Sequence, residues 1–423
     1  MTSRVSRRAL IAAGGGLLMW GFVPRRVARA SWWTRWLGWT HVRDYGTDRA
    51  AIHAARDAAG PNGTVYFEPG TYLVDWDVEA SVAGQRWIVS RDATIRRASG
   101  TVDQWSMGVV RVKASGVRIE GAGTIDANRA GNDPAYAIAC VIAERQNDMT
   151  LQDLTLVNSH GTAAVAYSDG WGASNNATFR RLRIRACPSG IGWIWGAASG
   201  GTAEDNDLLL DGGYANGIGA NTGVTGLTIR DNQIRGAGRF GIELWRDCDG
   251  SLVEGNTVTG PCEIGYSVVH SDGVTLRDNL VTDASYAGYE VGGAGQVLVE
   301  QCESDRCGIG VMVDDGAATV RGNTLRDSQR AVMTLNAADV LIEANMLAGW
   351  SGGHAPSAVY VQSSQRVTIE GNDLSDGPGA CIAVDNSHDV NVTGNTYHDL
   401  DGPFAVWTWG AVTGLVVEQN RAV

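Results

Sequence analysis

Lysine is nearly missing from this chain of 423 residues, in which Lys113 is the only one. Charge of either sign is scarce, at 19% of residues, and proline occurs nine times. The basic charge is arginine, and it is outweighed: 34 Lys and Arg face 46 Asp and Glu, for a formal net charge of −12. The first thirty residues hold six arginines and no acid, so the remainder carries 28 bases against 46 acids. So acidic a surface argues against nucleic acid and anionic membranes as partners. It also disfavours long polyanionic substrates unless local arginine or a cation compensates. The seven cysteines form no C-x-x-C metal pattern. Cys140, Cys187, Cys302 and Cys381 fall at apolar repeat positions and read as small buried hydrophobes. Cys302 with Cys307, or Cys248 with Cys262, are pairs that an oxidising compartment would allow to bridge, although connectivity is not readable from sequence. Beyond residue 30 no run is long and apolar enough to span a bilayer.

The N-terminus has the form of an address. Arg4, Arg7 and Arg8 precede an apolar, glycine-rich stretch from Ala12 to Val23, and Ala28-Arg29-Ala30 offers a small-residue cleavage site. The paired Arg7-Arg8 after Ser6, the weak apolar region and the basic flank Arg25-Arg26 point to a twin-arginine signal at 1–30. The expectation is a bacterial protein exported to the periplasm or the medium, with no membrane span in the mature chain.

Glycine, in contrast, is abundant at 56 residues, and the chain repeats itself. Strings of the form apolar-x-apolar-x-x-Asn end at Asn232, Asn256, Asn279, Asn323, Asn345, Asn372, Asn395 and Asn420, with Cys302 in the Asn place of one copy. Successive spacings are 24, 23, 23, 21, 22, 27, 23 and 25 residues. A fixed period in the twenties marks a solenoid. The segments after each Asn are short and β-prone rather than helical, which favours strands on every side of the coil over a leucine-rich repeat. Asn amides stacked at one turn would bond from rung to rung, so this column is read as structural. The expected fold is all-β: a single-stranded right-handed parallel β-helix of about a dozen rungs with a short N-terminal capping helix. The division is 1–30 signal, 31–108 cap and first strands, 109–423 repeats.

Residues 44–72 read as the cap. Thr47 or Asp48 can start a short helix, Ile52, Ala55 and Ala59 line one face, Gly60-Pro61 stops it, and TVYF follows as a strand. The order D-Y-G, a short A-I-rich helix and T-V-Y-F-x-P-G-T-Y resembles the N-terminal cap of the pectate-lyase-like superfamily. G-A-G-T-I-D at 121–126 resembles an early rung found there. That superfamily includes polygalacturonases, mannuronan epimerases, lyases and tailspikes, so the resemblance implies a glycan partner, a polysaccharide or oligosaccharide, without fixing the chemistry. Asp314-Asp315-Gly316 lacks the N-T-D and R-I-K that polygalacturonases place around such a pair. Asp133-Pro134 is followed by Ala135 where mannuronan epimerases carry His. G-I-E-L at 241–244 resembles a string in inulin fructotransferases. Cofactors are expected to be none, with calcium conceivable at D-C-D-G 247–250 or E-D-N-D 204–207.

Alternation along each strand separates inside from outside. Ile242 and Leu244 point in; Glu243 and Trp245 point out. The same position in successive rungs reads Gly192, Gly219, Glu243, Ser267, Glu290, Gly310, Met333, Tyr360, Ala383 and Trp407. Such a strip offers bare glycine, two carboxylates and aromatic faces for stacking sugars. Glu243 and Glu290, two rungs and about 9–10 Å apart along the backbone, suit an inverting glycosidase. Trp245 beside Glu243 points to Glu243 as the acid and Glu290 as the base, with Asp314 as a further catalytic candidate. Trp245, Ser267, His270, Tyr360 and Trp407 are the candidate substrate-binding residues. The expected function is a glycoside hydrolase or related glycan-cleaving transferase. The alternatives are a lyase or epimerase on uronic-acid polymers, with Arg239 or Arg246 as a lyase base, and a non-catalytic tailspike-like adhesin.

Overall fold

The computed structural model describes residues 31–213, 215–352 and 356–423; the expected signal at 1–30 and His354 lie outside the described residues. The helix Arg49–Ala59 forms where the sequence predicts it. Asp48 rather than Thr47 caps it, its side chain accepting from the Ala51 N–H at 2.8 Å. Ile52 and Ala55 are fully buried against the first rung, and Gly60 ends the helix at φ 65°. The helix packs on the first strands and so covers the core at this end.

The rest is a coil of parallel strands. One sheet contains sixteen strands stacked in chain order, from Thr40–His41 to Val416–Glu418. The coil therefore has about sixteen turns, more than the expected dozen. The additional rungs escape the repeat because they carry no Asn at the ladder position. Leu182 stands there, its N–H donating to the Asn206 side chain at 2.9 Å. From Asn206 onward an Asn fills the ladder place on every rung except one, where Cys302 interrupts the amide chain. Each amide donates to a carbonyl of the preceding rung and to the next amide oxygen, as Asn256 does to Ile229 O at 2.8 Å and to Asn279 Oδ1 at 3.0 Å. Asn206 belongs to E-D-N-D, and the acids around it hold arginines: Glu204 binds Arg230 at 2.7 Å, and Asp207 pairs with Arg185 and Arg235.

Each rung has one strand before the Asn, a short one after it, and a third carrying the small-apolar landmark. In two rungs the last two fuse into the 13-residue strands Thr257–Val269 and Leu280–Gly292. Inside these, Tyr266 and Tyr289 stack with ring centroids 5.0 Å apart, and their hydroxyls donate to backbone carbonyls. All seven cysteines are free and buried, so neither Cys302–Cys307 nor Cys248–Cys262 is bridged.

Candidate functional site

The landmark strands align in register, and the outward column is observed to run Gly192, Gly219, Glu243, Ser267, Glu290, Met312, Met333, Tyr360, Ala383, Trp407. One member differs from the expectation: Met312 takes the place assigned to Gly310. The cause is steric. Gly217, Gly241, Gly265, Gly288 and Gly310 form an inner column in which a Cβ would lie 2.4–2.8 Å from the carbonyl oxygen of the next rung. Gly310, not Gly308, is the member of that column, so the strand slides by two residues. The slip preserves inside and outside and brings Asp314 level with Gly292.

Glu243, on Gly238–Trp245, and Glu290, on Leu280–Gly292, are both half-buried, with buried Ser267 on the rung between them. The Ser267 hydroxyl donates to Glu290 Oε2 at 2.6 Å. The Asn216 side-chain amide donates to Glu243 Oε2. Burial pushes the Glu243 carboxyl above its ordinary range; the Asn216 bond and the Arg239 charge oppose this, and Glu290 adds to it. Burial also raises Glu290; Ser267 and Arg239 oppose, while Asp314 and Glu263 add negative charge. Asp314 is itself raised, by burial first and then by Asp315. The strip thus gathers carboxyls that resist full ionisation together, with Arg239 as the counter-charge felt by both glutamates.

The other candidates scatter. Trp245 is half-buried and carries the Arg246 guanidinium 4.4 Å from its ring centroid. His270 leaves the strip: it is an exposed turn residue at φ 49°, with Nδ1 3.2 Å from Gly293 O. Tyr360 lies three rungs beyond Glu290, its hydroxyl donating to Asp385 at 3.2 Å and Arg330 over its ring. Trp407 is two rungs further on, edge-to-face with Trp409. Met312 and Met333 separate these aromatics from the carboxylates. Asn216, Glu263 and Tyr286 border the acids and were not anticipated. A bulge at Ala215/Asn216 shifts the register there, which is why simple periodicity does not place Asn216.

The family model described as the right handed beta helix region matches residues 115–281, 213–317 and 267–422, overlapping segments that together run over more than half the chain. Among solved structures, the chain is similar to the A-module of mannuronan C-5 epimerase AlgE6 of Azotobacter vinelandii. Identity is 19% and TM-score 0.54, covering 91% of this chain and 99% of that one. It is also similar to gene product 12 of bacteriophage phi29, at 12% identity and TM-score 0.56, covering 90% of this chain and 57% of that one. At these identities the likeness shows the fold. Comparison with curated protein sequences gave no match.

Proposed function

The chain belongs to the right-handed β-helix family, and from the strip its rungs assemble we propose that it is an exported enzyme that hydrolyses a polysaccharide with inversion. One observation carries the reading: two half-buried carboxyls two rungs apart on one outward column, each held by a donor and each pushed toward the protonated form. A hydrolase needs one such acid protonated and the other ionised. Each glutamate accepts one side-chain hydrogen bond, from Asn216 and from Ser267, and the negative charge that Asp314 and Glu263 add at Glu290 favours it as the proton holder. This reverses the roles that Trp245 suggests in the sequence. Glu243 then takes a proton from water as its oxygen attacks the anomeric carbon, and Glu290 gives its proton to the departing glycosidic oxygen. The mannuronan C-5 epimerase among the neighbours in fold is consistent with a polysaccharide as the substrate class. Export by the twin-arginine route would place the enzyme in the periplasm or the medium.

Product analysis on a polysaccharide panel tests the reading. Hydrolysis makes reducing ends without new ultraviolet absorbance. An unsaturated uronate would instead establish a lyase, and binding without cleavage an adhesin.

A further inference from the structure

Four rungs before Glu290 and beyond, on the same outward face, the strip hollows into a cavity of about 280 Å³. Ile142 and Val165 form its floor, in register with Gly192, and Met107, Tyr167, Ile194 and Trp195 line its walls. Among the described residues no acidic or basic side chain lines it, while Ser106 and Thr162 bring hydroxyls. Two guanidiniums stand near it and both are paired: Arg111, in register with Ile142 on the adjacent rung, binds Glu144 at 2.6 Å, and Arg145, over the Tyr167 ring, binds Asp169 at 2.7 Å and Glu144 at 3.3 Å. From Val165 the column passes over Gly192 and Gly219 to Glu243, three rungs or about 14 Å away. Neither glycine adds a side chain to the path, which is flanked by the Thr162 and Ile194 methyls beside Gly192 and by the Asn216 amide beside Gly219.

Trp195 is the unusual member. It fills the turn position that Thr222, Arg246, His270, Asp315, Asn336, Ser363 and Asn386 fill in other rungs, all left-handed. Among the described residues no other Trp, Tyr or Phe adopts that conformation, which is strained for a bulky side chain. Its backbone N–H donates to Asn221 Oδ1 at 3.2 Å, and the residue is left 72% exposed beside the cavity. A strained, exposed indole over an apolar hollow is poorly explained by packing.

We propose that this cavity is a distal subsite that holds one uncharged sugar unit, its apolar face on the Trp195 ring, with the glycan chain running along the coil axis over Gly192 and Gly219 to the carboxylates. The inference rests on the reading of the strip as a glycan groove and adds the class of sugar. A uronate carboxylate here would lose its hydration with no free cation to pair with, whereas an indole face and hydroxyls suit a neutral pyranose.

The test is affinity electrophoresis of the full chain carrying Glu243→Gln, in gels containing dextran, pullulan, galactomannan or, as charged counterparts, alginate and polygalacturonate. Retention by a neutral polysaccharide is expected, weakened roughly tenfold by Trp195→Gly. Glycine suits the left-handed turn, so this variant should unfold at no lower denaturant than its parent, which separates lost binding from lost folding. Undiminished retention in Trp195→Gly, retention by the charged polymers alone, or no retention by any neutral polymer would each overturn the subsite. Cleavage that survives Glu243→Gln and Glu290→Gln would instead strike the catalytic pair and leave the subsite standing.

Discussion

Cys302 is the weak link of the amide ladder, and repairing it is a stringent test of how the coil is held together. Asn256 is 1% exposed and its side chain makes five bonds: its amide donates to Ile229 O, Glu254 O and Asn279 Oδ1, and its oxygen accepts from the N–H and the amide of Asn232. At Cys302 the thiol offers Asn279 only a sulfur, 3.9 Å from Nδ2. Asn256→Ala would strip partners from buried groups on both neighbouring rungs, at about 1–3 kcal/mol each, for an expected loss of about 3–5 kcal/mol. Cys302→Asn would replace weak sulfur contacts by amide bonds of about 1 kcal/mol each, for a net gain of about 1–2 kcal/mol. Denaturant midpoints of the two variants beside the parent read both numbers. A Cys302→Asn protein less stable than the parent would refute the claim that the ladder amides stabilise the turns.

Other consequences follow from the same geometry. Because folding raises the Glu290 pKa, the native state binds more protons than the unfolded chain between the ordinary carboxyl pKa and the raised one, and stability falls as pH rises through that window. Glu290→Gln should therefore be more stable than the parent at pH 7, with the advantage fading in acid; denaturation at pH 7 and near pH 4 checks it. Gly241→Ala would set a Cβ 2.5 Å from Gly265 O and should lose about 1–3 kcal/mol, read by thermal denaturation. Changing Arg7 and Arg8 together to Lys should hold the protein in the cytoplasm, as fractionation would reveal; normal export would exclude the twin-arginine assignment.

The coil was legible because its two periodic columns are chemically distinctive: Asn at one turn and a small residue at the opposite corner. Where either chemistry lapses, the reading slips. Leu182 in the ladder place hides the early rungs, and two glycines two residues apart, Gly308 and Gly310, leave the register ambiguous until the next rung's carbonyl decides it. Alternation correctly put Glu243, Ser267 and Glu290 on one outward column, since a strand's period of 2 needs no knowledge of contacts. It was silent about Asn216, which a bulge displaces, and about Glu263 and Tyr286, which reach the acids from the corner of the 13-residue strands. Spacing alone makes His270 a substrate-binding candidate; its turn conformation takes it off the strip.

The central claim is that Glu243 and Glu290 act as a base and acid pair on a glycan. The direct measurement is turnover of Glu243→Gln and Glu290→Gln on the polysaccharide that the panel identifies, and on an aryl glycoside of the same sugar. Each variant should lose roughly two to four orders of magnitude on the polysaccharide. Glu290→Gln alone should recover on the aryl glycoside, whose leaving group needs no proton. Near-normal turnover of the polysaccharide by both variants would contradict the account.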